Sequence, residues 1–443
     1  MTQSISLLNK ISSIESLTKA WGKLNKSNED SHGLSDESIK TFEKDRDDRI
    51  QSISRKLREG KYKFSPYRPV LIPKRDGTGR PLQIPEIQDR LVFKAIALEL
   101  ESIFHEKLKA SEGISFAYQK DIGIRQAIEK IESHYKNGNP YIFESDLMDF
   151  FTSVDKNTLL NEHILPYLPD ESINDLLKDG LNQGIGQLER FIPESKRHYF
   201  DKCGGGIPQG NPLSPLFSNI YLLPFDSSLK EKGYNLVRYA DDFVVLADSR
   251  KKCEQAYEDC RSILSSDQLK LSIHPLNEKN AKGKIKTKIF DIKEEPLHFL
   301  SITFDGKNYY PTRENVDGLK DKIKSLCFED GLTVDKLLTR QANKIDGWVS
   351  AFFYTDMDRY SHEIDCYINR QVYLALRNLE WRFNLRRLGK VPARFKEKGG
   401  SSECLSPKQR KNSGIPYCKD LMKKKRADEK RKQAMLSERP KNK

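Results

Sequence analysis

Leu7, Leu8, Ile11 and Ile14 fall on one apolar side of a 3.6-residue period, and that spacing, continued to about Gly60, predicts an N-terminal helical region over residues 1–60. From Gly60 to Pro85 the period shortens. Pro69-Val70-Leu71-Ile72-Pro73 reads as an extended piece, and Asp76-Gly77-Thr78-Gly79 as a turn. Helical spacing returns from Asp89 to about Leu108, where it would bury Leu91, Val92, Ala95, Ile96, Ile103 and Phe104; another helix is expected around Ile124 to Tyr135. Tyr141-Ile142-Phe143 is a short apolar strand running into acidic residues. Helices are expected onward to about Arg197, followed by a Gly-Gly-Gly loop at 204–206 that leads into a helix carrying Ser218 to Leu223. Leu236 to Leu246 reads as a hairpin with an acidic tip. Pro311 to about Phe383 is helical in pattern. Beyond Leu388 the composition turns to Lys, Arg, Gly, Ser and Pro, which predicts a weakly ordered extension. No internal repeat is visible. The pattern gives a mixed α+β protein with a final helical domain.

Composition narrows the class. A chain of 443 residues can build two or three domains, and 37% hydrophobic with 32% charged residues describes a globular protein. No run approaches the roughly 20 apolar residues of a membrane helix, and Met1-Thr2-Gln3-Ser4-Ile5-Ser6 lacks the layout of a secretory signal, so a cytoplasmic protein is expected. The seven cysteines (203, 253, 260, 327, 366, 404, 418) are odd in number and include no C-x-x-C pair, which argues for reduced thiols over a disulfide framework or zinc knuckle. The net charge of +13 is concentrated: Leu385 to Lys443 holds 20 Lys/Arg against 6 Asp/Glu, and the rest of the chain is near neutral. Such a tail is either a salt-sensitive handle for phosphate backbones or simply a solvated extension.

Two acidic sites carry the chemistry. In Arg238-Tyr239-Ala240-Asp241-Asp242-Phe243-Val244-Val245-Leu246, adjacent carboxylates occupy a tight turn between apolar strands, where Asn-Gly or Asp-Gly is the usual choice. Like charges repel there unless a divalent cation neutralises them, and Mg²⁺ takes one or two protein carboxylates alongside water and phosphate. Alone, the turn is as well explained by a solvated acidic loop. Asp146, at the end of the strand Tyr141-Ile142-Phe143-Glu144-Ser145, supplies a second site. A strand-end carboxylate beside an acidic hairpin can clamp two metals about 4 Å apart, the arrangement of an in-line phosphoryl displacement. Asp149 and Asp155 lie nearby and read as helix-start or surface acids. Between the sites, Gly206-Ile207-Pro208-Gln209-Gly210-Asn211-Pro212-Leu213-Ser214-Pro215 allows close backbone approach, stiffened by proline, and Gln209 offers an amide to a base or sugar edge.

These residues resemble those of bacterial reverse transcriptases of the group II intron-like type over roughly residues 10–385. Asp146-Leu147-Met148-Asp149-Phe150-Phe151 is similar to the first palm motif, Gly206-Ile207-Pro208-Gln209-Gly210 with Ser214-Pro215 to the second, and Tyr239-Ala240-Asp241-Asp242 to the third. His298-Phe299-Leu300-Ser301-Ile302-Thr303-Phe304 resembles the primer-grip strand, with serine where the family usually has glycine. Ile72-Pro73-Lys74, Gly79-Arg80-Pro81-Leu82 and Asp89-Arg90 resemble the fingers, and Gly347-Trp348 the thumb. The resemblance implies a right-hand polymerase: an N-terminal helical extension (1–60), fingers and palm with an antiparallel sheet (61–310), a helical thumb (311–385) and a basic C-terminal extension (386–443). It implies two Mg²⁺ ions, with Mn²⁺ as a substitute, held by Asp146, the Leu147 carbonyl, Asp241 and Asp242. Lys74 and Arg80 would contact the triphosphate of a dNTP, a point charge and a forked donor respectively. Phe151 would exclude a ribose 2′-hydroxyl, and Gln209 would face the nucleotide. A lysine among Lys279, Lys282, Lys284 and Lys286 would protonate the leaving pyrophosphate, with Lys286 the first choice.

The implied partners are an RNA template, a DNA primer or product and dNTPs, with no membrane. No nuclease signature of mobile introns is found, and the resemblance points to a stand-alone enzyme acting in anti-phage defence with a partner non-coding RNA. Three readings compete with it: an intron maturase lacking its endonuclease, an idle RNA-binding scaffold, and an RNA-dependent RNA polymerase. The three clustered acids argue against the scaffold, and Phe151 with the Tyr-Ala-Asp-Asp form argues against the RNA polymerase.

Overall fold

The computed structural model describes residues 5–74, 77–280, 283–396 and 402–437. Asp76 of the expected turn, Lys282, the first four residues and parts of the basic tail (397–401 and 438–443) lie outside them. The chain forms two compact units, Met1–Asp291 and Ile292–Lys443.

The first unit is built on a four-stranded antiparallel sheet of β3 (Tyr141–Asp146), β4 (Asn235–Tyr239), β5 (Asp242–Ala247) and β6 (Lys288–Asp291), in the order β4-β5-β3-β6. Every side chain of β5 after Asp242 is buried, as expected of a strand paired on both sides and covered on both faces. Phe143, Phe243, Phe225 and Tyr257 meet edge to face on this sheet. The helix Arg250–Leu264 turns Cys253, Ala256, Tyr257 and Cys260 inward, a spacing of three and four residues that makes one apolar stripe. A separate two-stranded hairpin, β1 (Arg68–Pro73) with β2 (Gly79–Ile84), precedes the long helix Ile87–Leu108. The predicted N-terminal helices are present, with Ser6, Ser13 and Ser38 each capping one.

Asp89 and Arg90, at the start of the long helix, are braces. Asp89 is wholly buried and accepts from the Tyr62 hydroxyl (2.6 Å) and the Ser65 N–H (3.0 Å). Arg90 donates to the Pro85 carbonyl and the Ser31 hydroxyl.

The second unit carries a three-stranded antiparallel sheet of β7 (Leu297–Phe299), β8 (Ile302–Phe304) and β9 (Tyr309–Pro311), then the helices Arg313–Cys327, Val334–Phe352 and Asp358–Asn378. Residues 298–304, expected as one strand, are a hairpin whose turn is Leu300-Ser301, both with positive φ (52° and 67°). Trp348 of the expected thumb motif donates its indole N–H to Asn315 across two helices, at 2.6 Å.

The extension beyond Leu388, expected to be weakly ordered, is folded where described: β10 (Gly389–Lys390) pairs with β11 (Glu403–Cys404), and helices follow at Pro407–Asn412 and Cys418–Ser437. Its overall polarity hid a few strong anchors. Leu405, Ile415, Cys418 and Met422 are buried, and the wholly buried Arg410 guanidinium donates to the Ile415 and Pro416 carbonyls and to Asn369. Among the described residues no helix is long and apolar enough to cross a membrane.

Candidate active site

Strand pairing brings the predicted acids together. Antiparallel register sets Asp146, the last residue of β3, opposite Asp242, the first of β5, and Asp242 also pairs with Tyr239 of β4. Ala240 and Asp241 are therefore the two central residues of the hairpin turn. Ala240 has φ 57°, a left-handed backbone that glycine would adopt without strain. Two bonds hold the turn. The Leu147 N–H donates to the Asp241 carbonyl (3.1 Å), and the Arg238 guanidinium donates to the Ala240 carbonyl (3.0 Å). Arg238 is itself wholly buried and grips Asp226 with two parallel bonds of 2.7 and 2.5 Å.

The carboxylates are poised for a cation. Burial, then the charge of Asp146, raises Asp241 above the usual carboxylate range. Asp242 has an exposed tip, yet burial by the surrounding turn, followed by Asp241 and Asp146, pushes it up to about 7. Asp146 Oδ2 receives a 2.6 Å bond from Lys286, while its Oδ1 is buried without a hydrogen-bond partner, with His274 Nε2 at 3.7 Å. Burial alone would lower the Lys286 pKa; the bond to Asp146 and the three acids outweigh it and raise it. Among the described residues no three of His, Cys, Asp and Glu form a ready metal cage. Two opposed carboxylates, one with an unpartnered oxygen, instead suit a hard divalent ion that takes one or two protein ligands and fills its shell from water and phosphate.

A cleft of about 650 Å³ opens beside the acids, lined by Arg80, Tyr118, Phe151, Gln209 and Asp241 among others. Gln209, Gly210, Asn211 and Pro212 form one wall, and the glycines at 206 and 210 shape their loop for different reasons. A Cβ on Gly206 would lie 2.0 Å from the Phe151 carbonyl oxygen, because the Ile207 N–H donates to that carbonyl. Gly210 has φ 114° and lies against the Gln83 carbonyl. The Gln83 N–H in turn donates to the Gln209 carbonyl (2.7 Å), which ties the loop to β2. Gln209 Oε1 is buried with no hydrogen-bond partner, an acceptor left available at the cleft.

The remaining candidates separate by position. Lys74 is exposed at the tip of the β1–β2 hairpin and is not among the cleft-lining residues. Lys286 is the motif lysine bonded to Asp146; Lys284 and Lys279 are exposed. Asp155 caps a helix through the Thr158 N–H (2.7 Å), and the exposed Asp149 starts another and pairs with Lys202. Tyr118, His274 and the N-terminal residues Lys23, Asn28 and Ser31, which also border the cleft or its acids, belong to no motif that sequence spacing reveals.

Residues 72–304 match the family model described as reverse transcriptase (RNA-dependent DNA polymerase). Protein YkfC of Escherichia coli (strain K12) is 26% identical over 263 residues, 51% of this chain and 65% of that protein. Group II intron-encoded protein LtrA of Lactococcus lactis subsp. cremoris is 29% identical over 374 residues, 66% of this chain and 57% of that protein. The chain thus spans less than two thirds of these relatives. A chain of a partial Cas6-RT-Cas1--Cas2 complex aligns at 24% identity over 60% of this chain and 44% of its own, with a TM-score of 0.36. Reverse transcriptase domains generally use divalent metal ions, which accords with the paired carboxylates at the mouth of the cleft. Since the family match spans more than half of the 443 residues and contains Asp146, Asp241 and Asp242, the chain belongs to the reverse transcriptase family.

Proposed function

We propose that this chain is an RNA-directed DNA polymerase that adds dNTPs to a growing DNA strand on an RNA template. The observation that carries this reading is the register of Asp146 against Asp242, with Asp241 in the turn between β4 and β5, at a cleft that also holds Arg80, Phe151 and Gln209. Asp146, Asp241, Asp242 and the Leu147 carbonyl would hold two Mg²⁺ ions, which supply Lewis-acid activation of the primer 3′-hydroxyl and neutralise the departing pyrophosphate. Arg80 takes the triphosphate with its forked donors, and Lys74 adds a point charge from the hairpin tip. Phe151 blocks a 2′-hydroxyl, and the free Gln209 acceptor faces the nucleotide. Lys286, which donates to Asp146, is the proton donor to the leaving group. On this reading residues 61–310 are fingers and palm, 311–385 the thumb, and 1–60 and 386–443 terminal extensions.

The test is incorporation of each labelled dNTP or NTP on an RNA template with Mg²⁺, using wild type and Asp241→Ala/Asp242→Ala. DNA synthesis from dNTPs alone, lowered at least about a thousandfold in the double variant, is expected. Tight RNA binding with no synthesis would favour the scaffold reading. Anti-phage defence with a partner non-coding RNA remains a reading drawn from the family resemblance; sequencing the RNA that co-purifies with the chain tests it.

A further inference from the structure

Tyr118 combines two features that a structural side chain avoids. Its backbone is left-handed (φ 61°), which L residues rarely adopt outside glycine, asparagine and aspartate, and its side chain is 48% exposed. The neighbouring chain holds it there. The Phe116 N–H donates to the Arg238 carbonyl and the Arg238 N–H to the Ile114 carbonyl, so residues 114–116 run beside β4 as an added edge. Asn219 donates to the Ala117 carbonyl (3.0 Å), and the Gln119 side chain donates to the Ser115 carbonyl (2.8 Å). β4 is the strand that ends in the acidic turn. Tyr118 is thereby indexed to Asp241 through the same arginine, Arg238, whose guanidinium holds the turn. The ring lines the cleft with Arg80, Phe151, Gln209 and Asp241.

We propose that Tyr118 is a positioning residue for the incoming nucleotide, its ring forming a wall for the sugar and its hydroxyl donating to the triphosphate beside Arg80. The inference rests on the polymerase reading above and adds a residue to it. A left-handed backbone that holds an aromatic ring half-exposed in a reaction cleft forgoes part of the packing the ring could make, and a ligand in the cleft can supply it.

Single-nucleotide incorporation and thermal unfolding of wild type, Tyr118→Gly and Tyr118→Phe decide the matter. Glycine relaxes the left-handed backbone, so Tyr118→Gly should melt no lower than wild type while its KM for dNTP rises about tenfold or more and its affinity for template–primer stays the same. Tyr118→Phe keeps the ring and should show a smaller rise, about two- to fivefold. An unchanged dNTP KM in Tyr118→Gly, or a lower melting temperature with KM within twofold of wild type, overturns the proposal in favour of a structural role. Wild type that incorporates no nucleotide at all overturns the polymerase reading, and this inference with it.

Discussion

Asp89 stood out in the sequence as half of an Asp-Arg pair, but its chemistry is structural. Burial raises its carboxyl to about 6, against the lowering pull of the Tyr62 and Ser65 donors. A folded-state pKa above the unfolded value means that the protonated form fits the fold better. The associated stability is full below about pH 4 and is lost as pH rises through about 6. The difference in unfolding free energy between wild type and Asp89→Asn, read from urea titrations, should shrink or reverse over that window by an amount on the order of 3 kcal/mol, whereas a flat difference would show that Asp89 titrates normally. Ser301 makes the opposite point. The resemblance to the primer-grip strand marks it as a serine in place of the usual glycine, and φ 67° supplies a physical reason for glycine in this turn. Ser301 is exposed, so Ser301→Gly should stabilise the protein by up to about 1 kcal/mol in chemical denaturation. Charge and glycine placement were thus readable in the residues themselves. Burial of Asp89 was not, because it depends on Tyr62 and Ser65 arriving from another segment.

At the level of elements, the acidic hairpin, the strand ending at Asp146 and the long helix after Asp89 were all legible, since period-2 and period-3.6 apolar spacing survives in the finished fold. The brace behind the hairpin was not. Asp226 lies on the helix Leu223–Glu231, 12 residues before Arg238, and no local pattern announces that the two form a wholly buried pair. Ser111 also donates to Asp226, at 2.7 Å, so this carboxylate joins three segments. Removing it leaves the Arg238 charge buried without a counter-charge, its remaining acceptors being neutral. Asp226→Ala is expected to cost about 3–5 kcal/mol in urea unfolding, and Asp226→Asn somewhat less. A loss below about 1 kcal/mol would mean that the β4–β5 turn does not depend on this pair.

Across the whole molecule, the uneven charge was plain from the sequence, but the folding of the described part of the segment that carries it was not. Segments rich in lysine rarely bury enough to fold, yet here the helix Cys418–Ser437 docks on its own unit through Met422, through Arg426, which donates to the Phe353 and Thr355 carbonyls, and through a Cys418 N–H bond to Asp365. The polar composition averages over those anchors, and so a compositional argument could not find them. Lys419, Lys423, Lys424, Lys430 and Arg431 remain exposed on the other side of the same helix. Dissolved salt acts on these two sides differently. Hydrogen bonds to uncharged carbonyls and buried methionine contacts are nearly indifferent to ionic strength, whereas exposed ammonium groups lose their long-range pull within a Debye length. Ion pairs also dock the helix (Lys425 to Asp346 at 3.0 Å and Arg426 to Asp358 at 3.5 Å), so adding salt would dim the field of the exposed cations and weaken these surface pairs, while Met422 and the Arg426 bonds to backbone carbonyls keep the helix in place.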